Sequence, residues 1–416
     1  MHLTGPIAGL GLLLLGSAVT AATQPGLQHA SEPVPTANLS LGDVVEAAWR
    51  RMPERPLVPA MRAESEALSR RSDSLLSGPP SLTAFYRSDQ PRTDTGVREM
   101  DLGLTLPLWN WGQQDAATAW SAAADADAAL SAAAWRLEAA GQVRDSLWQL
   151  VMAGKRVELA RLDESEAEHL VDLVERRHAS GDVARADLLL ARNVLMDRQA
   201  VRLEAEARLM DARRVYAELT GLSRRPAEFS EQPTAVEHIP LEHPFLARAR
   251  ARVARAASEL AWERESKVAN PSVMIGTRRE RADYSADSID SVYLQFNVPF
   301  GQGSANAEKV AAAGRRLAEA ETARNNLMRS LRLALHEAEH RLDVDRRALA
   351  LHREQLDVAN QRARMNERAY ALGETDVFQL VQARTQAQRA RLNAEEMALQ
   401  VQWDIARLNQ AAGVMP

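Results

Sequence analysis

The chain has 416 residues, of which 46% are hydrophobic and 26% charged, with a formal net charge of −5 and no cysteine. This mild, dispersed charge excludes nucleic acid as an expected partner. The lack of cysteine excludes disulfides, thiolate metal sites and the lipid-attachment residue of a bacterial lipoprotein.

Residues 1–21 are predicted to be a signal peptide. An apolar core from Ile7 to Val19 is followed by small residues at the expected cleavage position, although the preceding residues include no Lys or Arg. The core is shorter than the roughly 20 residues that a membrane-spanning helix needs. We therefore expect an exported protein that is periplasmic, secreted, or inserted in an outer membrane as strands.

The remaining sequence predicts two copies of one structural unit. Three pairs of like residues are each 192 positions apart, namely Pro107 and Pro299, Gly181 and Gly373, and Gly221 and Gly413. Such regular spacing indicates duplication. The predicted organisation is a leader at 22–38, a first repeat at 39–221, an inter-repeat linker at 222–241 and a second repeat at 242–413.

The sequence of each repeat predicts a helix, a strand hairpin, a very long helix and, after a glycine turn, one more helix. The first repeat gives a helix at Leu41–Leu76, strands at Ser81–Arg87 and Glu99–Leu106, and helices at Gln113–His178 and Ala184–Leu219. The second gives a helix at Pro244–Ala269, strands at Ser272–Gly276 and Ser291–Val298, and a long helix at Ala305–Leu372.

The long helices are too long for a compact domain, since 66 residues extend for about 100 Å. Leu335, Leu342, Leu349 and Leu356 recur every seven residues and predict a coiled-coil seam. The helices at 184–219 and 244–269 together nearly match one long helix, so we expect them to stack end to end beside it. Residues 22–40 and 222–241 would then form a belt around the middle.

The strands alternate polar and apolar residues, which suits either a half-buried soluble hairpin or a membrane strand. Four strands leave edges that lipid cannot satisfy, and membrane barrels generally begin at about eight strands. In a membrane the chain must therefore oligomerise. Three copies would supply twelve strands above twelve helical columns.

Motifs at matching places in both repeats carry a family resemblance. They are Arg50-Arg51-Met52-Pro53-Glu54, Pro80-Ser81-Leu82, Leu106-Pro107-Leu108-Trp109-Asn110-Trp111-Gly112, His178-Ala179-Ser180-Gly181, Val298-Pro299-Phe300-Gly301 and Tyr370-Ala371-Leu372-Gly373. In order and spacing over residues 39–413, the chain resembles the outer-membrane efflux channel family of the TolC type.

The resemblance implies a mainly α fold with a membrane β-barrel portion, in which long antiparallel coiled-coil helices and four strands per chain close as a trimeric tunnel. It implies a location in the outer membrane with an extension into the periplasm. The expected partners are two further copies, outer-membrane lipid, a periplasmic adaptor protein and an inner-membrane pump. The expected function is a passive exit duct that needs no cofactor.

The resemblance also implies roles for particular residues. The periplasmic aperture would lie at the helix tips, at Gly181, Asp187, Tyr370, Gly373, Thr375 and Gln379. A bond from the Tyr370 hydroxyl to Asp187 across neighbouring helices would hold it shut, whereas Thr375 and Gln379 depart from the Arg and Asp of the best-known members. An ordinary solvated turn is the alternative for the tips. Trp109 and Trp111 suit the membrane interface or, alternatively, internal packing.

Two alternatives come from other protein classes. The sequence from His336 to His340 matches HExxH, in which two histidines ligate zinc and the glutamate activates water. It lies inside a long helix without a third ligand or a walled cleft, so we expect no enzyme and at most incidental metal contact. A periplasmic coiled-coil adaptor would share the long helices but would have one hairpin of them rather than two.

Overall fold

The structure is a computed structural model that describes residues 33–90, 92–266, 269–301 and 306–416. The predicted signal peptide and residues 22–32 of the leader lie outside the described residues. The elements are β1 (Val34–Thr36), α1 (Leu41–Arg51), α2 (Leu57–Ser72), β2 (Ser81–Ser88), β3 (Arg98–Pro107), α3 (Gln113–Ala179), α4 (Arg185–Thr220), β4 (Arg224–Pro226), α5 (Pro244–Glu265), β5 (Ser272–Arg281), β6 (Ile289–Asn297), α6 (Ala307–Ala371) and α7 (Val377–Ala411).

The order of elements repeats along the chain. A helix, two strands, a helix of more than 60 residues and a final helix occur as α2-β2-β3-α3-α4 and again as α5-β5-β6-α6-α7. The glycines that end the matching helices share a left-handed backbone, with φ of 84° at Gly181 and 76° at Gly373. Residues with a Cβ rarely adopt this conformation, which explains why glycine occurs at both positions.

The first predicted helix is wrong as a single element, because the structure breaks it into α1 and α2. Met52 has an extended backbone, as the residue before a proline prefers, and Pro53 lacks the N–H that would continue the helix. Ser40 caps the start of α1 by accepting a hydrogen bond from the Asp43 N–H. The apolar face of α1 is buried against Trp135 and its neighbours near the middle of α3.

The four longer strands form one open antiparallel sheet in the order β2-β3-β5-β6. Its register aligns Leu82, Leu104, Ile275 and Leu294 across the four strands. Among the described residues, the outer edges of β2 and β6 have no partner strand. One chain therefore carries a sheet that is not closed.

The helices below the sheet form four columns. α6 contacts both α5 and α7. Each of these helices also contacts α3, and α3 in turn contacts α2 and α4. The prediction that α4 and α5 stack end to end is wrong. α5 instead continues the column of α7, since His243 at the start of α5 lies against Gly413, just beyond α7. α4 meets the junction of α1 and α2, where Arg51 donates to the Glu218 carbonyl.

The linker crosses α3 near the midpoint of that helix and joins the two halves. β1 pairs in parallel with β4, which brings residues 34–36 of the leader beside residues 224–226 of the linker. Beyond β4, Glu231 binds Arg144 of α3, and Thr234 donates its N–H to Asn409 of α7. The linker thus carries the chain from the end of α4 across α3 to the end of α7.

The predicted seam on α6 is confirmed. Leu335 and Leu342 are buried against Val401, Ile405 and Leu408 of α7. The pairing is antiparallel, because the two helices are joined by the tight turn at Gly373. Within the described ranges, no helix has an apolar stretch long enough to cross a bilayer.

Candidate functional site

The two faces of the sheet differ in chemistry. On one face, Arg278 binds both carboxylate oxygens of Asp101 at 3.0 and 2.9 Å and approaches Glu99 at 3.3 Å. The guanidinium also lies over the ring of Tyr293. Asp101, Arg278 and Tyr293 line a concave hollow of about 440 Å³. Such a polar face suits contact with water.

The opposite face is apolar over three successive cross-strand rows. These are the rows of Leu106, Val273 and Phe296, of Leu82, Leu104, Ile275 and Leu294, and of Ala84, Leu102, Thr277 and Val292. The next row contains Arg279 and Asp290, whose ion pair measures 2.6 Å. At about 3.4 Å per residue, this charged row lies about 20 Å along the strand from the first apolar row. An apolar band that is exposed in the single chain and ends at charged residues is typical of a lipid-facing strand surface.

The two tryptophans below the sheet have different surroundings. Trp109 packs edge-on against Trp262 and donates its indole N–H to the Ser74 carbonyl at 2.9 Å. Trp120 also stacks on Trp262, and this aromatic cluster is a feature that sequence reasoning missed. Trp111, by contrast, is 98% exposed. Packing therefore accounts for Trp109, while Trp111 is free to contact an interface.

The predicted aperture residues lie in or close to the two turns at the helix tips. Gly181 and Gly373 are exposed, and a Cβ at either position would have no atom within 4 Å. Asp187 accepts a hydrogen bond from the Ala184 N–H and caps α4. Asp376 is itself the N-cap residue of α7 and accepts from the Gln379 N–H at 2.8 Å, and Thr375 directly precedes this cap.

The predicted bond between Asp187 and Tyr370 is not formed within one chain. Tyr370 is only 3% exposed in an apolar cluster with Leu170 and Val174 of α3. Arg177 lies over its ring at 4.6 Å and donates to its main-chain carbonyl at 2.9 Å. Within the described part of the chain, the Tyr370 hydroxyl has no hydrogen-bond partner.

Two exposed apolar stripes are a further feature that the sequence analysis missed. Both repeat every seven residues. One lies on α4 with Leu189, Met196, Leu203 and Met210, and one lies on α6 with Val344, Leu351, Val358 and Met365 and continues at Leu372, just past the end of the helix. The seven-residue spacing of these side chains could have revealed both stripes. The sequence analysis used that spacing only for the seam through Leu335, which lies on a different face of α6. Both stripes are at least 40% exposed in the single chain, so they mark unpartnered helix faces.

The HExxH residues lie on the exposed side of α6. His336 and His340 stack with ring centroids 6.4 Å apart. No group of three or more His, Cys, Asp or Glu able to hold a metal ion occurs in the described ranges. The two histidines therefore have no third ligand of these types among the described residues.

An open sheet with one apolar face, continuous with long paired helices, is the architecture of a class of membrane channel subunits. In that class the sheet lies in the membrane and the helices extend into water. The family model for outer membrane efflux proteins matches residues 77–222 and 237–414. The chain belongs to this outer membrane efflux protein family. It is accordingly an outer-membrane efflux channel protein that extends into the periplasm.

Solved structures agree with this fold. CusC is 14% identical with a TM-score of 0.74, covering 94% of this chain and 100% of that chain. VceC from Vibrio cholerae is 16% identical with a TM-score of 0.72, covering 90% and 96%. CmeC from Campylobacter jejuni is 16% identical with a TM-score of 0.69, covering 99% and 94%. No curated protein sequence matches the chain at a significant level. The family match favours the channel over the coiled-coil adaptor.

Proposed function

We propose that three copies of this chain close into one passive duct, through which solutes delivered by a periplasmic adaptor and an inner-membrane pump leave the cell. One observation carries this proposal. The sheet and the helices below it leave their outer strands and outer helices open on the same two sides of the chain. One edge consists of β6 and α6, and the other of β2, α2 and α4. A subunit with two continuous, unlike edges suits a closed ring.

The helical edges are complementary in position as well as in chemistry. Leu189 lies four residues after the start of α4, and Met365 lies six before the end of α6. Because both stripes advance by seven residues, Leu203 and Leu351 come to matching heights as well. α4 of one copy can therefore lie antiparallel to α6 of the next with the two stripes in register.

The sheet edges are compatible with the same closure. Each strand in the order β2-β3-β5-β6 is antiparallel to its neighbour, so β6 of one copy and β2 of the next also run antiparallel. Three copies then give a twelve-stranded barrel with no free edge, which lipid requires. The apolar rows would face lipid, and the Arg278 hollow would face the lumen.

Disulfide cross-linking of the assembled protein in outer-membrane preparations tests this arrangement. The chain contains no cysteine, so every thiol is an introduced one. The double variant Leu189→Cys with Met365→Cys is expected to give covalent trimers on a non-reducing gel. Leu203→Cys with Leu351→Cys should do the same.

The matched control is Leu189→Cys with Val344→Cys. It uses the same two stripes, but Val344 lies 21 residues from Met365 on α6, or about 32 Å. This pair should give no cross-link. Equal cross-linking of all three pairs, or monomers only, would contradict the proposed interface.

The same proposal gives roles to the residues at the helix tips and at the membrane interface. Gly181, Asp187, Tyr370, Gly373, Thr375 and Gln379 would surround the periplasmic aperture, supported by their placement in or within a few residues of the turns at Gly181 and Gly373. Trp111 would contact lipid headgroups, supported by its exposure beside the apolar band. We expect no catalysis, so His336→Ala should leave export by a complemented deletion strain unchanged.

A further inference from the structure

Two buried glycines lie side by side in the middle of the sheet. Gly103 of β3 and Gly276 of β5 are cross-strand partners, and Tyr293 of β6 is the next residue in the same row. Glycine weakens a strand interior, because its backbone loses more freedom on folding than that of other residues and it has no side chain to pack. Two glycines in one row of a sheet therefore need a packing reason.

The side chain of Tyr293 supplies that reason. A Cβ at Gly276 would lie 2.5 Å from Cζ of Tyr293 and 2.6 Å from its hydroxyl oxygen. A Cβ at Gly103 would lie 3.1 Å from the same hydroxyl oxygen. The side chain therefore leaves β6, crosses Gly276 and reaches Gly103. An aromatic ring can lie this close to a strand only where the strand has no Cβ beneath it.

Two further side chains hold the ring in this position. The Tyr293 hydroxyl donates to Sδ of Met274 at 3.5 Å. The Arg278 guanidinium lies over the ring, 5.7 Å from its centroid, and is itself fixed by the carboxylates of Asp101 and Glu99. Tyr293 is half-buried as a result, although it lies on an open sheet.

The hollow of about 440 Å³ on this face is the space that a raised ring would enter. Tyr293 lines it together with Met274, Arg278 and Gln295. In the duct proposed above this face is turned toward the lumen, and three copies would place three such rings at one level. A ring that stood away from the wall would therefore narrow the duct at that level.

We propose that Gly103 and Gly276 keep Tyr293 flat on the inner wall, and that this orientation sets the free cross-section of the barrel. The inference rests on the proposed function, because only the closed trimer has a lumen. Tyr293 then determines how large a solute can pass, and the two glycines are positioning residues that act through it.

Labelling of an introduced thiol in intact cells tests the proposal. Asn297 is exposed on the same face, four residues beyond Tyr293 toward α6, so Asn297→Cys reports passage below the ring from the hairpin side. A small maleimide and a maleimide that carries a bulky polyethylene glycol chain are added from outside. The measured quantity is the labelling rate of the bulky reagent divided by that of the small one, which cancels differences in the amount of protein.

Gly103→Ala, made in the Asn297→Cys chain, is the main variant. The atoms nearest its new Cβ belong to the side chains of Met274 and Tyr293, whereas a Cβ at Gly276 would also lie 2.7 Å from the Leu102 carbonyl oxygen. Gly103→Ala should therefore displace the ring rather than the strands, and the ratio should fall severalfold. Adding Tyr293→Ser to Gly103→Ala should restore the ratio, because no ring is then left to displace.

Two variants serve as controls. Tyr293→Ser alone should leave the ratio nearly unchanged, because the ring already lies on the wall. Ser291→Thr adds a methyl group to the same face, two residues from Tyr293 and away from both glycines, and should also leave the ratio unchanged.

The outcomes separate this inference from the proposed duct. A ratio that stays unchanged in Gly103→Ala, or that rises severalfold in Tyr293→Ser, would overturn the inference and leave the duct intact. If Gly103→Ala does not reach the outer membrane, the result for Tyr293→Ser still decides. Failure of even the small maleimide to reach Asn297→Cys would overturn the duct and the inference together.

Discussion

Arg144 and Glu231 form a buried, two-pronged ion pair that fastens the linker to the middle of α3. The Arg144 Nε and Nη2 atoms donate to the two carboxylate oxygens at 2.8 and 2.7 Å, and Nη1 donates to Gln410 of α7 at 2.6 Å. Arg144 is only 2% exposed. One side chain therefore connects α3, the linker and α7 at the level where the two halves meet.

Removal of Glu231 should be costly, because it leaves a buried guanidinium without its counter-charge. Glu231→Ala is expected to destabilise the chain by about 3 kcal/mol, the range typical of breaking a buried pair. The exposed pair of Arg347 and Asp343 gives the comparison, since Asp343→Asn should cost less than about 1 kcal/mol. Thermal unfolding of both variants in detergent measures the difference, and equal midpoints would contradict the prediction.

Glycines with the same backbone should tolerate alanine differently. Gly373→Ala is expected to cost about 1 kcal/mol from its φ of 76° alone, because a Cβ would meet nothing. Gly413 has a φ of 81°, but a Cβ there would lie 2.6 Å from the buried His243 ring. Gly413→Ala should therefore lower the thermal midpoint clearly more than Gly373→Ala, and a reversed order would refute the packing of α5 on α7.

The two tryptophans below the sheet should separate packing from lipid contact. Trp109→Ala removes a ring contact and a hydrogen bond and is expected to cost about 3 kcal/mol in detergent. Trp111→Ala should cost less than about 0.5 kcal/mol there, since the side chain touches little of its own chain. If Trp111 contacts headgroups, its replacement should instead weaken retention in lipid vesicles during flotation.

Tyr370 and Asp187 should act independently within the chain. Tyr370→Phe removes a hydroxyl that has no partner among the described residues, so the thermal midpoint should stay unchanged or rise slightly. Asp187→Ala should cost about 1 kcal/mol through loss of the α4 cap. In a double-variant cycle the two effects should add. A coupling energy above about 0.5 kcal/mol would show that the two side chains meet in the assembled protein.

Asp163, in the half of α3 nearer the Gly181 turn, should make the stability of the chain depend on pH. Burial raises the pKa of Asp163 to about 6 from its ordinary 3.8; Arg198 and Arg391 oppose this shift, and Glu166 reinforces it. Because the folded-state value is the higher one, the stabilisation is complete below pH 3.8 and is lost as pH rises through about 6. Asp163→Asn should therefore raise the thermal midpoint at pH 8 but not at pH 4. Asp172→Asn, at an exposed position of α3, should leave the thermal midpoint unchanged at both pH values.

The amino-acid sequence by itself determined the two long helices, the turns that end them and the repetition of the elements. The proline-free runs set α3 and α6, and Gly181 and Gly373 set the turns, because both signals act through local backbone geometry. The alternation in the strands likewise anticipated the two faces of the sheet. The resemblance located the aperture residues, whose roles stay predictions.

Only the tertiary structure decided which helix continues which column. α4 and α7 have 36 and 35 residues, so α5 completes either column equally well by length. The choice rests on contacts far apart in sequence, such as His243 with Gly413 and Glu231 with Arg144. The same is true of Asp404, which is an ordinary acid in the sequence. It becomes only 1% exposed when the helices pack together, because burial exists only in the folded chain.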